Sequence, residues 1–473
     1  MSLATGLIVR LCDQLSLCLL DHPLSRTMTA TVRCNVVEPL KVRDARDVEQ
    51  VVRAAIASDQ PLEIIGHGSR RQIGQPMATN ALLDVSALNA VTSYEPNELI
   101  ITVQAGAPLA DVQSLIDSKN QQFAFEPIDT SALSGVVGSG TIGGMIGAGL
   151  AGPRRIKAGG ARDHLLGAHA VSGFGDSFKT GGRVVKNVTG YDLCKLLAGS
   201  WGTLAVMTEV TLKVMPKPES ERTLILLGLD DLTANRAMTA ALGSPFDVSG
   251  AAHLPNSAFR SAVGALAGLG SQGLGSQGLG SRGLGSRGLD SQGLGSQRQA
   301  VTLLRLEGIA ASVADRANSL GKMLASFGPV EVLQDAASAA VWSSIRDVKP
   351  FAASGALGAW PVWRIVCPPA SGAALGQALA RDTGGDVIYD WGGGLIWAAL
   401  PPKPDAQAAM VRQRVEASGG HAMLIRGSEL VRRTIDVFHP QAGGVAALSE
   451  RVRLSFDPKT ILNRGRLARG SAT

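Results

Sequence analysis

The chain has 473 residues, more than one hydrophobic core accommodates, and its length predicts at least two domains. The net charge of +6 comes from lysines and arginines that are scattered rather than clustered beside aromatic residues, which excludes a nucleic-acid-binding protein. The five cysteines form no CxxC pair, which excludes iron–sulfur and structural zinc sites in this polypeptide and favours a cytoplasmic protein with reduced thiols.

The first elements lead to a small-residue turn. Residues 1–35 are predicted to be a disordered N-terminal extension, because Arg10 and Asp13 interrupt a moderately apolar stretch that fits neither a signal peptide nor a membrane span. Apolar residues at helical spacing then predict a helix from Asp44. The next apolar strand runs into Gly66-His67-Gly68-Ser69-Arg70. Successive N–H groups in such a turn form an anion nest, although turn geometry alone also explains the glycines.

The stretch from Ser134 to Asp163 contains eight glycines between Gly135 and Gly152. Glycine loses the most backbone entropy on folding but lets main-chain N–H groups approach a ligand, so this stretch predicts a cradle for a large, partly anionic cofactor. It also matches GxGxxG, but no strand precedes the match, and its further glycines weaken the helix that a dinucleotide fold requires. The glycines and hydroxyls argue against a membrane span. A surface loop without a ligand remains the alternative.

The remaining elements define the predicted domains. A first domain over residues 36–218 ends with a helix through Leu193 to Ala198 and an alternating strand. A second domain over residues 219–435 begins with repeated strand and helix patterns and contains a strand from Ile388 to Trp397. Its insertion, residues 264–299, holds six tandem pentads of the GLGSQ type and is predicted to be a flexible loop. Residues 436–473 are predicted to return to the first domain.

Several motifs occur in a fixed order along the chain. They are GHGSR from Gly66, GTIGGMIGAGLAGPRR from Gly140, TGGRVVKNVTGYDLCKLLAGSWGTL from Thr180 and FDPKTILNRGRL from Phe456. In this order they resemble the FAD-binding oxidoreductases of the vanillyl-alcohol-oxidase and p-cresol-methylhydroxylase (PCMH) type. Within that superfamily the chain is most similar to the FAD-binding (E) subunits of bacterial glycolate oxidases.

The resemblance implies an α+β fold, in which a two-subdomain FAD-binding (PCMH-type) unit carries an antiparallel-sheet cap domain. It implies FAD as the cofactor, held non-covalently, because Ser69 stands where some relatives attach FAD through a histidine. The cofactor-binding residues that it implies are Gly66, His67, Gly68, Ser69, Arg70, Pro127, Thr141, Ile142, Gly143, Gly144, Gly147, Gly149, Arg162, Asp163, Gly190, Asp192, Glu209 and Val210.

Catalytic residues are not defined by the sequence. Oxidation of a 2-hydroxy acid needs a base near the hydroxyl and a cation for the carboxylate. The candidates are His253, Arg364, His421 and His439, and Arg305 and Arg426 are further candidates for the cation. No spacing pairs these histidines with an orienting acid. The catalytic subunits of glycolate oxidases carry a Gly-Glu-His-Gly type motif with metal-binding histidines, which this chain lacks, so no metal is expected.

The resemblance implies the FAD-binding subunit of a glycolate or D-lactate dehydrogenase complex that oxidises glycolate to glyoxylate. Its partners would be a homologous catalytic flavoprotein subunit and an iron–sulfur subunit, which could hold the chain peripherally at the inner face of the cytoplasmic membrane. Two alternatives stay open. One is a self-sufficient FAD-dependent D-2-hydroxy-acid dehydrogenase, and the other is a non-catalytic assembly subunit.

Overall fold

The computed structural model describes residues 38–77, 79, 81–138, 140–182, 191–255 and 300–468. The predicted N-terminal extension, the GLGSQ-type insertion and Gly190 lie outside these residues. The described residues from Pro39 onward form one compact unit. The domain boundary at residue 218 therefore stays a prediction.

A small parallel sheet begins the fold. Strands β1 (Leu40–Lys41), β2 (Leu62–Ile65) and β3 (Ala81–Asp84) pair in the order β1-β3-β2. Helix α1 (Ala45–Ser58) lies between β1 and β2 in the chain and begins at Asp44, whose side chain accepts a hydrogen bond from the N–H of Asp47. Its apolar face packs into the same core as β2 and β3. The C-terminal tail also reaches this sheet, where Leu462 pairs with Leu62.

A second, antiparallel sheet has the strand order β4-β5-β9-β7-β8. Its core is closed by short helices, among them the helix formed by the glycine-rich stretch. The elements of this part are β4 (Val91–Glu95), β5 (Ile100–Gln104), α2 (Leu109–Asp117), β6 (Gln121–Gln122), α3 (Ser131–Ser134), α4 (Ile142–Ala148), α5 (Arg155–Ala158), α6 (Ala161–His164), β7 (Leu165–Ser172), β8 (Ser177–Gly181), α7 (Cys194–Leu197), β9 (Ala205–Lys213) and β10 (Met215–Pro216).

The third sheet is antiparallel and has eight described strands in the order β14-β11-β13-β12-β16-β17-β15-β18. We call it the cap sheet. Its elements and those that follow it are β11 (Ser220–Leu227), α8 (Asp231–Leu242), β12 (Gly250–Leu254), β13 (Val301–Gly308), α9 (Ala310–Leu324), β14 (Val330–Gln334), α10 (Asp335–Arg346), β15 (Val362–Val366), α11 (Pro369–Thr383), β16 (Asp386–Asp390), β17 (Leu395–Ala399), α12 (Ala408–Ala417), β18 (His421–Arg426), α13 (Glu429–Thr434) and α14 (Gly443–Phe456).

The two faces of the cap sheet have different neighbours, because side chains alternate along each strand. One face packs against α8, α9, α11 and α12. The other face carries Trp397 and Met423 and shares an apolar cluster with Leu133, Ala148 and Leu150 of the glycine-rich region. The cap sheet therefore lies directly against the glycine-rich stretch.

The predicted α+β fold with an antiparallel cap sheet is confirmed. Two local predictions are wrong. The strand from Ile388 to Trp397 is a hairpin, because Gly392 and Gly393 adopt positive φ angles of 64° and 96° and reverse the chain between β16 and β17. The glycine-rich stretch forms the helix α4, capped by Thr141, because the packing of its buried residues outweighs glycine's low helix propensity. Among the described helices, each is too short or too polar to cross a bilayer.

Buried charges join the glycine-rich region to the cap sheet. Arg305 of β13 donates to both carboxylate oxygens of Glu126 at 2.9 and 3.0 Å. Arg154, two residues after Gly152 in the glycine-rich stretch, donates to Glu307 of the same strand at 2.5 to 3.0 Å. Burial would raise the pKa of Glu126, but the charges of Arg305 and Arg154 outweigh it and lower that pKa. The same arginines also lower the pKa of Glu307, so both carboxylates are ionised near neutral pH and paired with Arg305 and Arg154.

The first prediction concerns this buried charge network. Arg305→Met leaves Glu126 and Glu307 as incompletely paired buried carboxylates, so we expect the free energy of unfolding to fall by about 3 kcal/mol. Urea denaturation measures it. The control is Arg433→Ala, which removes a solvent-exposed pair with Glu429 and should cost less than about 1 kcal/mol. Equal losses in the two variants would contradict the role of the network.

Candidate functional site

The turn after β2 presents unpaired main-chain donors. No acceptor among the described residues takes a hydrogen bond from the N–H groups of residues 66–70, whereas the N–H of Arg71 already bonds to the carbonyl of Gly68. Gly68 has a φ of 69°, which lets the chain reverse immediately after the strand. Consecutive free N–H groups in a turn bind anions. The turn therefore has the donors that a phosphate requires.

Helix α4 faces this turn at very short range. A Cβ atom added to Gly66 would lie 2.6 Å from both the Cγ2 and the Oγ1 atoms of Thr141. A Cβ atom on Gly140 would lie 2.4 Å from the hydroxyl of Ser69. Gly143 is pressed against the backbone of Ala105 in the same way, at 2.9 Å from its carbonyl oxygen. Glycine at these positions is required by packing, because Gly66 and Gly140 lie against the side chains of Thr141 and Ser69, and Gly143 lies against the backbone of Ala105.

Arg70 supplies a positive charge to this groove. Its guanidinium lies near Gly140 and Gly144, and one of its nitrogens donates to the carbonyl of Ile128 at 3.3 Å. Its Nε atom is buried and has no partner among the described residues. Burial lowers the pKa of Arg70 to about 10, so the group remains charged at neutral pH. A buried cation with an unused donor fits an anionic ligand.

The groove encloses about 760 Å³ of space, part of which is open solvent. It contains the predicted residues Gly66, His67, Gly68, Ser69, Arg70, Thr141, Gly143, Gly144 and Gly147. The sequence analysis missed further lining residues, which are Arg71, Val85, Ala105, Trp201, Gly202, Met207, Asn463 and Arg466. Four of these lie in recognised motifs: Trp201 and Gly202 belong to the SWGTL segment, and Asn463 and Arg466 belong to the C-terminal TILNRGRL segment.

Asn463 shows why the tail belongs to the groove. Its side-chain oxygen accepts a hydrogen bond from the N–H of Ile64 at 2.8 Å, and its side-chain nitrogen donates to the carbonyl of Trp201 at 2.7 Å. The tail therefore fixes the strand before the turn to the wall of the groove. No sequence spacing could reveal this contact, since 399 residues separate Ile64 from Asn463.

The other predicted cofactor residues lie outside this groove. Ile142 and Val210 are in the core of the second sheet, and Gly149 ends α4. Pro127 borders a second cleft that also contains Glu126, Arg154 and Arg305. Arg162, Asp163 and Asp192 are exposed to solvent. Glu209 accepts a hydrogen bond from the hydroxyl of Thr92. For all of these residues, contact with a cofactor stays a prediction.

His253 is sealed on the helix-covered face of the cap sheet. Its Nδ1 atom lies 2.9 Å from the hydroxyl of Thr302, and its Nε2 atom lies 3.4 Å from Asp231. The ring packs against Tyr389 and is 0% exposed. Its neighbours on β12, Ala252 and Leu254, point to the opposite face, which meets the glycine-rich region. The structure therefore separates His253 from the groove.

Arg364 and His421 lie on the cap-sheet face that meets the glycine-rich region. Arg364 pairs in register with Met423 of β18, and His421 pairs with Val366, so the two side chains are diagonal neighbours. Burial lowers the pKa of His421, and the charges of Arg364, His439 and Arg155 lower it further. His439 lies beside the first residues of β18 and has Glu416 at 3.8 Å. The imidazole of His421 is therefore neutral at pH 7.

The two further cation candidates are already engaged. Arg426 donates to the carbonyls of Trp360, Leu133 and Leu357 at 2.6 to 3.0 Å. Arg305 forms the bidentate pair with Glu126 described above. Neither guanidinium is available for a ligand, since each would have to give up buried hydrogen bonds.

Comparisons with known proteins agree with this geometry. A family model described as an FAD binding domain matches residues 39–181. Glycolate oxidase subunit GlcE of Escherichia coli (strain K12) is 27% identical over 88% of this chain and 95% of its own length. Glycolate oxidase subunit GlcD of Bacillus subtilis (strain 168) is 33% identical over 38% of each chain. The structure of p-cresol methylhydroxylase with substrate bound superposes with a TM-score of 0.61 at 13% identity, covering 91% of this chain and 88% of that one.

The resemblance expected from the sequence is therefore confirmed. The chain has the PCMH-type fold and an FAD-binding domain, FAD is its cofactor, and it is an FAD-dependent oxidoreductase. The groove fits this cofactor, because its free main-chain N–H groups and the buried guanidinium of Arg70, whose Nε atom has no partner among the described residues, suit the diphosphate.

The second prediction tests the close approach at Gly66. Gly66→Ala places a Cβ atom against Thr141, so the turn or the start of α4 must shift, and we expect FAD to bind at least tenfold more weakly, a loss of about 1.4 kcal/mol. Titration of the purified chain with FAD measures the affinity. Gly444→Ala is the matched control, since nothing lies within 4 Å of its added Cβ atom. Equal affinities in the two variants would refute this view of the groove.

The third prediction concerns Asp390, which is buried next to the hairpin turn. Burial raises its pKa from 3.8 to about 7. The folded chain therefore holds a proton that the unfolded chain has lost, so Asp390 reduces stability as the pH rises from about 4 to about 7, by up to about 1.4 kcal/mol per pH unit. Asp390→Asn should remove this contribution, making the fall in unfolding free energy shallower over that range.

Urea denaturation at several pH values checks the prediction. The exposed Asp315→Asn on α9 serves as the control and should retain the pH dependence of the wild type. A pH profile of Asp390→Asn that is parallel to the wild type would show that Asp390 does not titrate in this range.

Proposed function

We propose that this chain is the FAD-binding subunit of a complex that oxidises glycolate, or D-lactate, to the corresponding 2-oxo acid. The observation that carries the proposal is the groove between the Gly66 turn and α4, which is lined by free N–H groups and lies next to the cap sheet. Similarity to a glycolate oxidase subunit over 95% of that subunit's length favours the same substrate class.

The residues of the groove have distinct tasks in this proposal. FAD supplies the redox chemistry when bound, and the protein supplies position and electrostatics. The N–H groups of residues 66–70 and the guanidinium of Arg70 hold the diphosphate. Trp201 and Met207 form an apolar wall that excludes water from one side. With Ser69 at the position where some relatives attach FAD through a histidine, the cofactor is held non-covalently.

The proposal assigns removal of the substrate proton to a partner subunit. Among the described residues, His253 is the only candidate histidine whose ring is oriented by a hydrogen bond to a side chain of the cap sheet, that of Thr302. His253 is completely buried on the other face of that sheet, so it cannot reach a substrate in the groove. A homologous flavoprotein subunit, with the catalytic base, and an iron–sulfur subunit that takes electrons onward complete the proposed complex. Similarity to a glycolate oxidase subunit of the other type over 38% of each chain supports a partner with a related FAD-binding region.

The fourth prediction tests the complex by affinity purification of the full chain from its native cells. We expect flavin absorbance near about 450 nm and a broad iron–sulfur shoulder, together with oxidation of glycolate or D-lactate by the purified assembly. In assemblies that contain Gly143→Val, whose side chain would meet the backbone of Ala105, flavin content and activity should both fall at least tenfold. Assemblies with Gly444→Ala serve as the control.

Two outcomes would overturn the proposal in different ways. If the isolated chain bleaches its own flavin with glycolate or D-lactate without partners, it is a self-sufficient dehydrogenase. If the purified assembly is active but the chain is colourless and Gly143→Val changes nothing, the chain is a non-catalytic assembly subunit.

A further inference from the structure

Arg364 is a largely buried cation without a hydrogen-bonding partner in the described part of the chain. Its Nε atom is buried and has no partner among the described residues, and Asp390, a carboxylate whose charge acts on the guanidinium, makes no hydrogen bond to it there. Arg426 and Arg305, in contrast, are fully engaged with carbonyl and carboxylate oxygens. An unpaired buried guanidinium is costly, and a bound anion would supply the missing acceptor.

Two tryptophans hold Arg364 in place. Its guanidinium carbon lies 5.1 Å from the ring centre of Trp391 and 6.0 Å from that of Trp397. Cation–π contacts at these distances stabilise a charged guanidinium without using its hydrogen-bond donors. The planar fork of donors therefore stays free to accept a planar, two-oxygen anion.

A second cation approaches from the other polypeptide segment. The guanidinium carbon of Arg155, in the short helix α5, lies 5.0 Å from the ring centre of Trp391. Arg155 is exposed, and so is His421, the diagonal neighbour of Arg364. Both arginines are near enough to His421 to repel its protonated form. The three basic side chains thus surround one place where the sheet face opens to solvent.

This place adjoins the cofactor groove. The indole N–H of Trp391 donates to the carbonyl of Gly152, the last glycine of the glycine-rich stretch, at 3.0 Å. Trp391 and Trp397 also belong to the same apolar cluster as Ala148 and Trp201, which line the groove. An anion bound at Arg364 would therefore lie on the side of the groove that the cap sheet covers.

We propose that Arg364, assisted by Arg155, binds the carboxylate of a short 2-hydroxy acid at this place, which we call the Arg364 subsite. The inference rests on the proposed function, because it takes the substrate class from there. It assigns substrate binding to this chain even if the proton-accepting base lies on the partner. The bidentate fork selects a planar carboxylate over an anion that can accept only one hydrogen bond.

The fifth prediction uses isothermal titration calorimetry of the FAD-loaded full chain with oxalate, a small planar dicarboxylate. The wild type should bind oxalate at one site. Arg364→Met should weaken binding at least tenfold, Arg364→Lys should be intermediate because an ammonium cannot make the bidentate contact, and Arg155→Met should weaken binding threefold or more. Because Arg155 is exposed, the Arg155→Met substitution does not disturb the core. It therefore remains informative if Arg364→Met folds poorly.

Arg381→Met is the control, since Arg381 is an exposed arginine of α11 whose loss should leave oxalate binding unchanged. The flavin absorbance of each sample is recorded before titration. Samples that carry flavin but in which both arginine variants bind oxalate like the wild type would overturn the Arg364 subsite and leave the proposed function intact. A wild-type chain that binds no FAD would refute the proposed function itself, whatever its affinity for oxalate.

Discussion

The structure depends on the close approach of two backbone segments. The turn at Gly66 packs so tightly against the side chain of Thr141, which caps α4, that a methyl group on Gly66 does not fit between them. This contact costs the flexibility of several glycines and leaves a row of N–H groups without protein acceptors. Binding an anionic cofactor offsets these costs, because it supplies acceptors to the free donors. The glycine content and the FAD-binding function therefore have one physical cause.

A second constraint places the cap sheet. Glu126 precedes the glycine-rich stretch and Arg154 lies within it, and both are paired with charged side chains of one cap strand, Arg305 and Glu307. Buried ion pairs contribute little net stability compared with apolar packing, but they are intolerant of displacement. The network thus fixes the orientation of the cap sheet relative to the groove. Trp391 adds a hydrogen bond to Gly152, so the face that carries Arg364 is held beside the groove.

Sequence reasoning reached the fold class and the centre of the groove, because both are encoded locally. Gly66 to Arg70 follow a clear strand pattern, and the glycine-rich stretch has no ordinary structural explanation. The helix α4 was missed, since tertiary packing of Ile142 and Ile146 outweighs local propensity. The hairpin at Gly392 was missed because an apolar run on either side reads as one strand. Asn463 and the partners of Arg305 depend on contacts between distant positions, which no spacing rule can supply. Arg364 could be named as a candidate but not distinguished from Arg305 and Arg426 until their partners were seen.

The most direct test of the account is a structure of the full chain determined at saturating FAD. The account predicts density for the diphosphate within hydrogen-bonding distance of the main-chain N–H groups of residues 66–70, with the guanidinium of Arg70 beside it and the glycines of α4 in contact with the cofactor. Density for FAD at any other place, or a groove closed by its own side chains in the presence of excess FAD, would contradict it.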